Sequence, residues 1–402
     1  MKTPLASTRQ YGLDWVRVIA FALLIFYHTG MFFVTWDFHF KNADTSRSME
    51  LWMLFLNQWR LPLLFLVSGA GVAFALQKRT DGQFAGERFK RLFLPLLFGM
   101  LVVVPPQIYM ERLFKQQFSG SYFDFYPLVL QLKPYPDGNF SWHHLWFVLY
   151  LFVYSLVGLP LFRWVQKEGG QRVLSKATSF FEARPAALYT LVAPFWLYFM
   201  FLLPKFDVTH GLFDDWFNHA ISFTVFVYGY VLASQNRLLQ VVQSLRKVSL
   251  AGGLVCFAAM LVGFSLPSRG YVTWLPAYEL EPHNAAYLVY FTLKSFNMWF
   301  WILAILGFAL RYLNFSTPFL TYATEAVYPF YILHQTVMLV IGYYIVQWDT
   351  GVIPKFFAVA VGMFAITAVL YEVVVRRFAV TRFLFGLKPK PKVAAAQVEM
   401  KA

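Results

Sequence analysis

Three basic residues, Arg17, Arg60 and Lys294, stand in segments otherwise apolar enough to cross a membrane. An ionisable side chain at that depth is costly and points to a working site. The sharpest signal is Leu13-Asp14-Trp15-Val16-Arg17, followed by Phe26-Tyr27-His28. His28 comes eleven positions after Arg17. On a helix that is three turns plus about 20°, so both share one face, with His28 roughly 16 Å deeper. Asp14 lies three residues before Arg17, on nearly the same face. A simple membrane anchor has no use for such a stripe. The plainer alternative is an interfacial Asp14–Arg17 pair with a satisfied, buried His28.

Other polar groups follow the same logic. Trp59-Arg60-Leu61-Pro62 places a cation inside the second span, ahead of the small-residue patch Ser68-Gly69-Ala70-Gly71. That patch suits close helix contact or a pocket wall. Glu87-Arg88-Phe89-Lys90-Arg91, just before Pro95, puts three bases in four residues at an expected helix start. Arg88, Lys90 and Arg91 could hold an anion with help from the helix N-terminus, or serve as ordinary anchors to anionic lipid. His143-His144-Leu145-Trp146-Phe147 could stack on a sugar face or sit in an aromatic belt. Tyr331-Ile332-Leu333-His334 supplies a second deep imidazole, and Lys294 with Asn297 adds polarity to the eighth span. None of these spacings is that of a metal site, and the single Cys256 excludes a cysteine-rich one.

The elements that must carry these residues follow from composition. Of 402 residues, 59% are hydrophobic, 20% aromatic and only 13% charged. A soluble domain carries about a quarter charged residues. The expected fold class is therefore all-α: a polytopic integral membrane helical bundle. Ten segments are long and apolar enough to span, near 15–36, 51–76, 92–111, 145–165, 186–204, 218–234, 249–266, 287–310, 319–346 and 355–376. The 319–346 segment could break at Pro329. Alternate connections separate sharply in charge: 23 of the 34 Lys and Arg residues fall in one set and eight in the other. The second set is also richer in acids, including Asp207, Asp214, Asp215, Glu279 and Glu281. By the positive-inside rule the first set, with both termini, is cytoplasmic. The net charge of +14 then belongs to the membrane, not to nucleic acid. One membrane domain is expected over 1–386 and a disordered basic tail over 387–402. The connection 112–143 reads as an extended, partly ordered loop able to cap a site.

In order along the chain, these residues resemble the acyltransferase-3 family of integral membrane acyltransferases. Arg17, ten intervening residues and His28 resemble its first span, and Pro62 through Ser68-Gly69 its second. Arg88 and Arg91 resemble its basic pair, His144-Leu145-Trp146-Phe147 its His-Leu-Trp-Phe element, and Tyr331-Ile332-Leu333-His334 its late Tyr-x-Leu-His element. Arg60, Leu370-Tyr371-Glu372 and Phe383 to Pro389 are similar to the branch taken to succinylate periplasmic glucans.

The resemblance implies acyl transfer, succinyl or acetyl, from cytoplasmic acyl-CoA to an extracytoplasmic carbohydrate hydroxyl, in the bacterial inner membrane. Acyl-CoA would be a co-substrate, with no bound cofactor, and a homo-oligomer stays open. Arg88, Lys90 and Arg91 would hold the donor, with Arg17 near the acyl arm and Asp14 holding Arg17. His28 would be the general base, since an imidazole accepts protons near neutrality; an acyl-histidine relay is a variant. Arg60 or Ser68 would stabilise the oxyanion. His144, Trp146, Tyr331 and His334 would line the acceptor side. The competing class is a transporter or flippase of a small anionic or glycolipid substrate. No internal repeat supports it, and the polar stripe ends in a proton acceptor.

Overall fold

The computed structural model describes residues 10–265, 282 and 284–389, all helices, turns and loops with no strand among them. Lys2, Arg9, Arg269, Glu279, Glu281 and the tail from 390 onward lie outside the described residues. The start of the expected tail is tied down: Leu387 is buried, and Arg382 donates from Nε and Nη2 to the Lys388 carbonyl.

The main helices are α1 (Tyr11–Gly30), α2 (Arg47–Asn57), α3 (Arg60–Leu76), α4 (Asp81–Phe114), α5 (Tyr122–Val129), α6 (Trp146–Val157), α7 (Leu159–Gln166) and α8 (Glu168–Ala183). They continue as α9 (Ala193–Phe201), α10 (Trp216–Ala233), α11 (Asn236–Ser265), α12 (Ala285–Tyr312), α13 (Pro318–Ile345), α14 (Val352–Leu370) and α15 (Ala379–Leu384). Each of the ten expected segments falls on a helix or helix pair. Seven, counting α2 with α3, are long and apolar enough to cross a membrane. An eighth is the α6–α7 pair, bent by 48°. The stretch Pro185–Phe201, ending in α9, is shorter than a full span. The 319–346 segment, left open as one helix or a broken one, is a single helix: α13 runs unbroken through Pro329.

Local chemistry explains two departures from the expected boundaries. Thr80 and Gln83 form a reciprocal capping box, so α4 starts at Asp81. Arg88, Lys90 and Arg91 therefore lie inside a helix and not at its start. Within α4 the turns Phe89–Phe93 and Gly99–Val103 are π-helical, a feature frequent at functional sites. Pro105 has no N–H to offer the Leu101 carbonyl; the Tyr126 hydroxyl, on α5, donates to it instead at 3.0 Å. The 112–143 connection is thus more ordered than its sequence suggested.

Packing centres on α1, which touches α3, α12, α13 and α14. The small-residue patch of α3 does two jobs. A Cβ at Gly69 would lie 1.9 Å from the Phe226 carbonyl of α10, and one at Gly229 would lie 1.8 Å from that of Leu66. These two glycines let α3 and α10 touch backbone to backbone. Gly71 instead faces Arg17, and a Cβ added there would lie 3.5 Å from the Arg17 Nη2. That leaves room beside the guanidinium.

Candidate active site

A cavity of about 410 Å³ opens at the Arg17 end of the bundle. Its walls include Arg17, Ser68, Gly71, Arg79, Glu87, Arg88, Arg91 and Tyr331. Four expected site residues of α1, α3 and α4 thus meet around one space with Tyr331 of α13. Arg17 pairs with Asp14 at 3.7 Å, as its spacing suggested. Glu87 gathers Arg79 and Arg91, and Arg91 Nε also donates to the Gly386 carbonyl at 3.0 Å. Arg88 lies over the Phe84 ring at 4.7 Å, with a buried Nε that has no partner. It is the less committed cation of the pair. Lys90 is exposed and does not line the cavity. Ser68 faces the cavity but donates its hydroxyl proton to the Leu64 carbonyl at 2.7 Å, so its oxygen acts there as an acceptor.

The deep end of the cavity is closed by rings. Phe21, Phe147 and Tyr331 contact one another with centroids 5.4 to 6.4 Å apart. Directly behind Tyr331 stands an imidazole pair. The half-buried His28 and the buried His334 stack within 11° of parallel, and His28 Nδ1 is 2.9 Å from His334 Nε2. The network fixes the tautomers. His334 Nδ1 lies 2.6 Å from the Tyr331 carbonyl, which only accepts, so that nitrogen carries the proton. Its Nε2 is then an acceptor, and His28 must donate from Nδ1. The ring nitrogen left to accept a proton is His28 Nε2, the assignment following from the partners rather than from observed hydrogens. A general base oriented by a second group has this arrangement. His334, expected on the acceptor side, is hydrogen-bonded to His28.

Arg60 is 3% exposed and lies with its guanidinium 3.6 Å over the ring of Tyr27, the residue before His28. Its Nε and Nη1 are buried without partners. A buried cation so poorly satisfied, stacked on the ring next in sequence to His28, could meet a developing negative charge. Lys294 lies 5.5 to 5.8 Å from the rings of Phe199, Tyr290 and Phe291. Both ring nitrogens of His144, expected on the acceptor side, are engaged: Nε2 donates to the Ile332 carbonyl at 3.1 Å, and Nδ1 accepts from Gln107 at 3.3 Å. The Tyr331 hydroxyl donates to the His144 carbonyl. Trp146 is buried, stacked 4.2 Å from His210.

The other end of α4 carries a polar centre that the sequence reading did not single out. Glu111 is 1% exposed; its Oε2 accepts from His39 Nδ1 at 2.6 Å, and its Oε1 from Lys115 and Tyr135 at 2.7 and 2.8 Å. Burial first, then the Glu111 carboxylate, push the Tyr135 phenol up to about 12, so it remains a donor. Arg112 lies over the Tyr135 ring and donates to the Pro136 carbonyl, pinning this loop. The available signal was Glu111 itself, an acid at the end of an apolar segment.

A family profile described as an acyltransferase domain matches residues 10–372. The chain belongs to the acyltransferase-3 family. Proteins named "Glucans biosynthesis protein C" from Salmonella paratyphi B, Salmonella enteritidis and Salmonella agona are each 23% identical to it, over 96% of this chain and 97% of theirs. No solved structure matches it significantly. The protein is a multi-pass membrane acyltransferase.

Proposed function

We propose that this acyltransferase moves a succinyl or acetyl group from acyl-CoA, held at the Arg88 end, to a hydroxyl of a glucan or related carbohydrate arriving from the opposite side. In this reading the Arg88 end and both termini are cytoplasmic and the membrane is the bacterial inner one, as the charge asymmetry supports. The carbohydrate class is supported by the name of the relatives.

One observation carries the reading. The basic cavity ends at Tyr331, whose carbonyl begins the hydrogen-bond chain that leaves His28 Nε2 as proton acceptor. Arg88 and Arg91 bind CoA phosphates, and the acyl arm passes Arg17 and Ser68 toward the ring closure. His28 Nε2 takes the acceptor hydroxyl's proton as the oxygen attacks the thioester carbon. Arg60 stabilises the oxyanion. The C–S bond then breaks, the thiolate leaves, and His28 returns the proton to it.

The test uses purified protein in liposomes, with labelled acyl-CoA on one face and a glucan on the other. The expected products are labelled ester on the glucan and free CoA thiol in equal amounts. Label crossing the bilayer with no ester and no thiol would show a transporter and overturn the reading.

A further inference from the structure

The fold brings together three donor groups that sequence spacing gave no reason to associate. His39 follows α1, Glu111 stands in the last turn of α4, and His143 precedes α6. The donor atoms of the three all lie within 4.8 Å of one another. We propose that His39, Glu111 and His143 bind one divalent cation of the zinc class, leaving a coordination position for a substrate oxygen.

Each of the three ligands is held for this by its surroundings. His143 Nδ1 is 2.8 Å from Ser141 Oγ, while its Nε2 is buried and has no hydrogen-bond partner. A buried ring nitrogen without a partner is costly, and coordination satisfies it. Glu111 is held through its other oxygen by Lys115 and Tyr135, which leaves Oε2 toward His39. The far nitrogen of His39, Nε2, meets the Gln335 amide at 3.2 Å. Each ligand therefore has a polar neighbour on the atom it would not give to the metal; at His39 the Gln335 amide turns over on binding, so that its oxygen accepts the Nε2 proton, as the outer partners of metal-binding imidazoles do. Two imidazoles and one carboxylate suit zinc, with the fourth position open as in catalytic sites. On binding, the cation takes the place of the hydrogen bond between His39 Nδ1 and Glu111 Oε2, and the ring proton of His39 moves from Nδ1 to Nε2, so that a neutral imidazole ligates through Nδ1.

The site lies far from the donor cavity: 23 residues of α4 separate Arg88 from Glu111, about 35 Å of helix. It is placed to polarise a hydroxyl of the incoming acceptor. That use rests on the acyl-transfer reading; the binding does not.

The full chain, purified in detergent and stripped with a chelator, is titrated with Zn2+ by calorimetry and with Co2+ by visible absorption. One cation per chain is expected, with the intense visible bands of four-coordinate Co2+. His143→Ala and Glu111→Gln should each weaken binding at least tenfold. His143→Cys should keep the cation and add a thiolate-to-cobalt band, which guards against simple misfolding. Absence of stoichiometric uptake by folded protein, or unchanged affinity in both His143→Ala and Glu111→Gln, would overturn the site. Because these titrations contain no acyl donor, a chain that binds the cation but transfers no acyl group overturns the acyl-transfer reading alone. Full transfer by a chelator-treated chain that takes up no cation overturns the cation site alone.

Discussion

At His28, identity and depth were legible in the sequence because helical periodicity puts Arg17 and His28 on one face. The pairing that the proposed base needs was not legible: His334 lies 306 residues away, and helix periodicity says nothing about pairing between distant helices. The hydrogen-bond chain leads to a specific expectation. His334→Ala should lower kcat by about 100-fold with donor KM unchanged. His334→Asn should recover much of that loss, because its amide can accept from His28 and donate to the Tyr331 carbonyl. Equal loss in both variants would assign His334 to packing. Arg60 separates stability from activity. A buried guanidinium with two unpartnered nitrogens costs stability. Arg60→Met should therefore hold or raise the Tm while lowering kcat about 100-fold; a large fall in Tm would mean the cation is structural. Ser68 is the counter-case. Its place on the cavity wall was readable, but its hydroxyl proton is taken by its own helix.

Among the elements, α4 differs most from its sequence reading. The capping box at Thr80 draws the basic triplet into the helix, so the proposed donor site has the side chains of Arg88 and Arg91 alone, and Lys90 turns outward. Since Arg91 is tied to Glu87 and Gly386 and Arg88 is not, Arg88→Ala should raise donor KM about tenfold with little change in Tm. Arg91→Ala should raise KM and also lower the Tm. Unchanged donor KM in both would return these residues to anchoring. The α3–α10 contact was half legible: small residues announced a close approach, but not which helix approaches. Gly69→Val drives a side chain into the Phe226 carbonyl, and overpacking of this kind costs about 1–3 kcal/mol or more. A clear fall in detergent Tm is expected, whereas Gly82→Ala, with open space around it, should leave the Tm unchanged.

Across the whole molecule, chemistry is laid out along the bundle axis: a basic cavity, a ring closure, an imidazole pair, then the Glu111 centre. Composition made the helical bundle legible, since that signal is a sum over many residues; the orientation read from loop charge stays a proposal. The Glu111 centre was not, because its parts come from three separate connections and helix ends. Orientation can be checked by labelling, since Cys256 is the single cysteine and is buried. In a Cys256→Ser background, Lys133→Cys should react with an impermeant maleimide in intact cells, and Lys90→Cys only after permeabilisation. The reverse pattern would invert the proposed topology. The central claim, a proton-accepting imidazole within the bilayer, is tested most directly by one rate. His28→Ala is reconstituted at equal folded content with wild type and assayed for acyl transfer from labelled acyl-CoA to glucan. Loss of product to background, with the protein still in the membrane, is the expected result; transfer at the wild-type rate would contradict it.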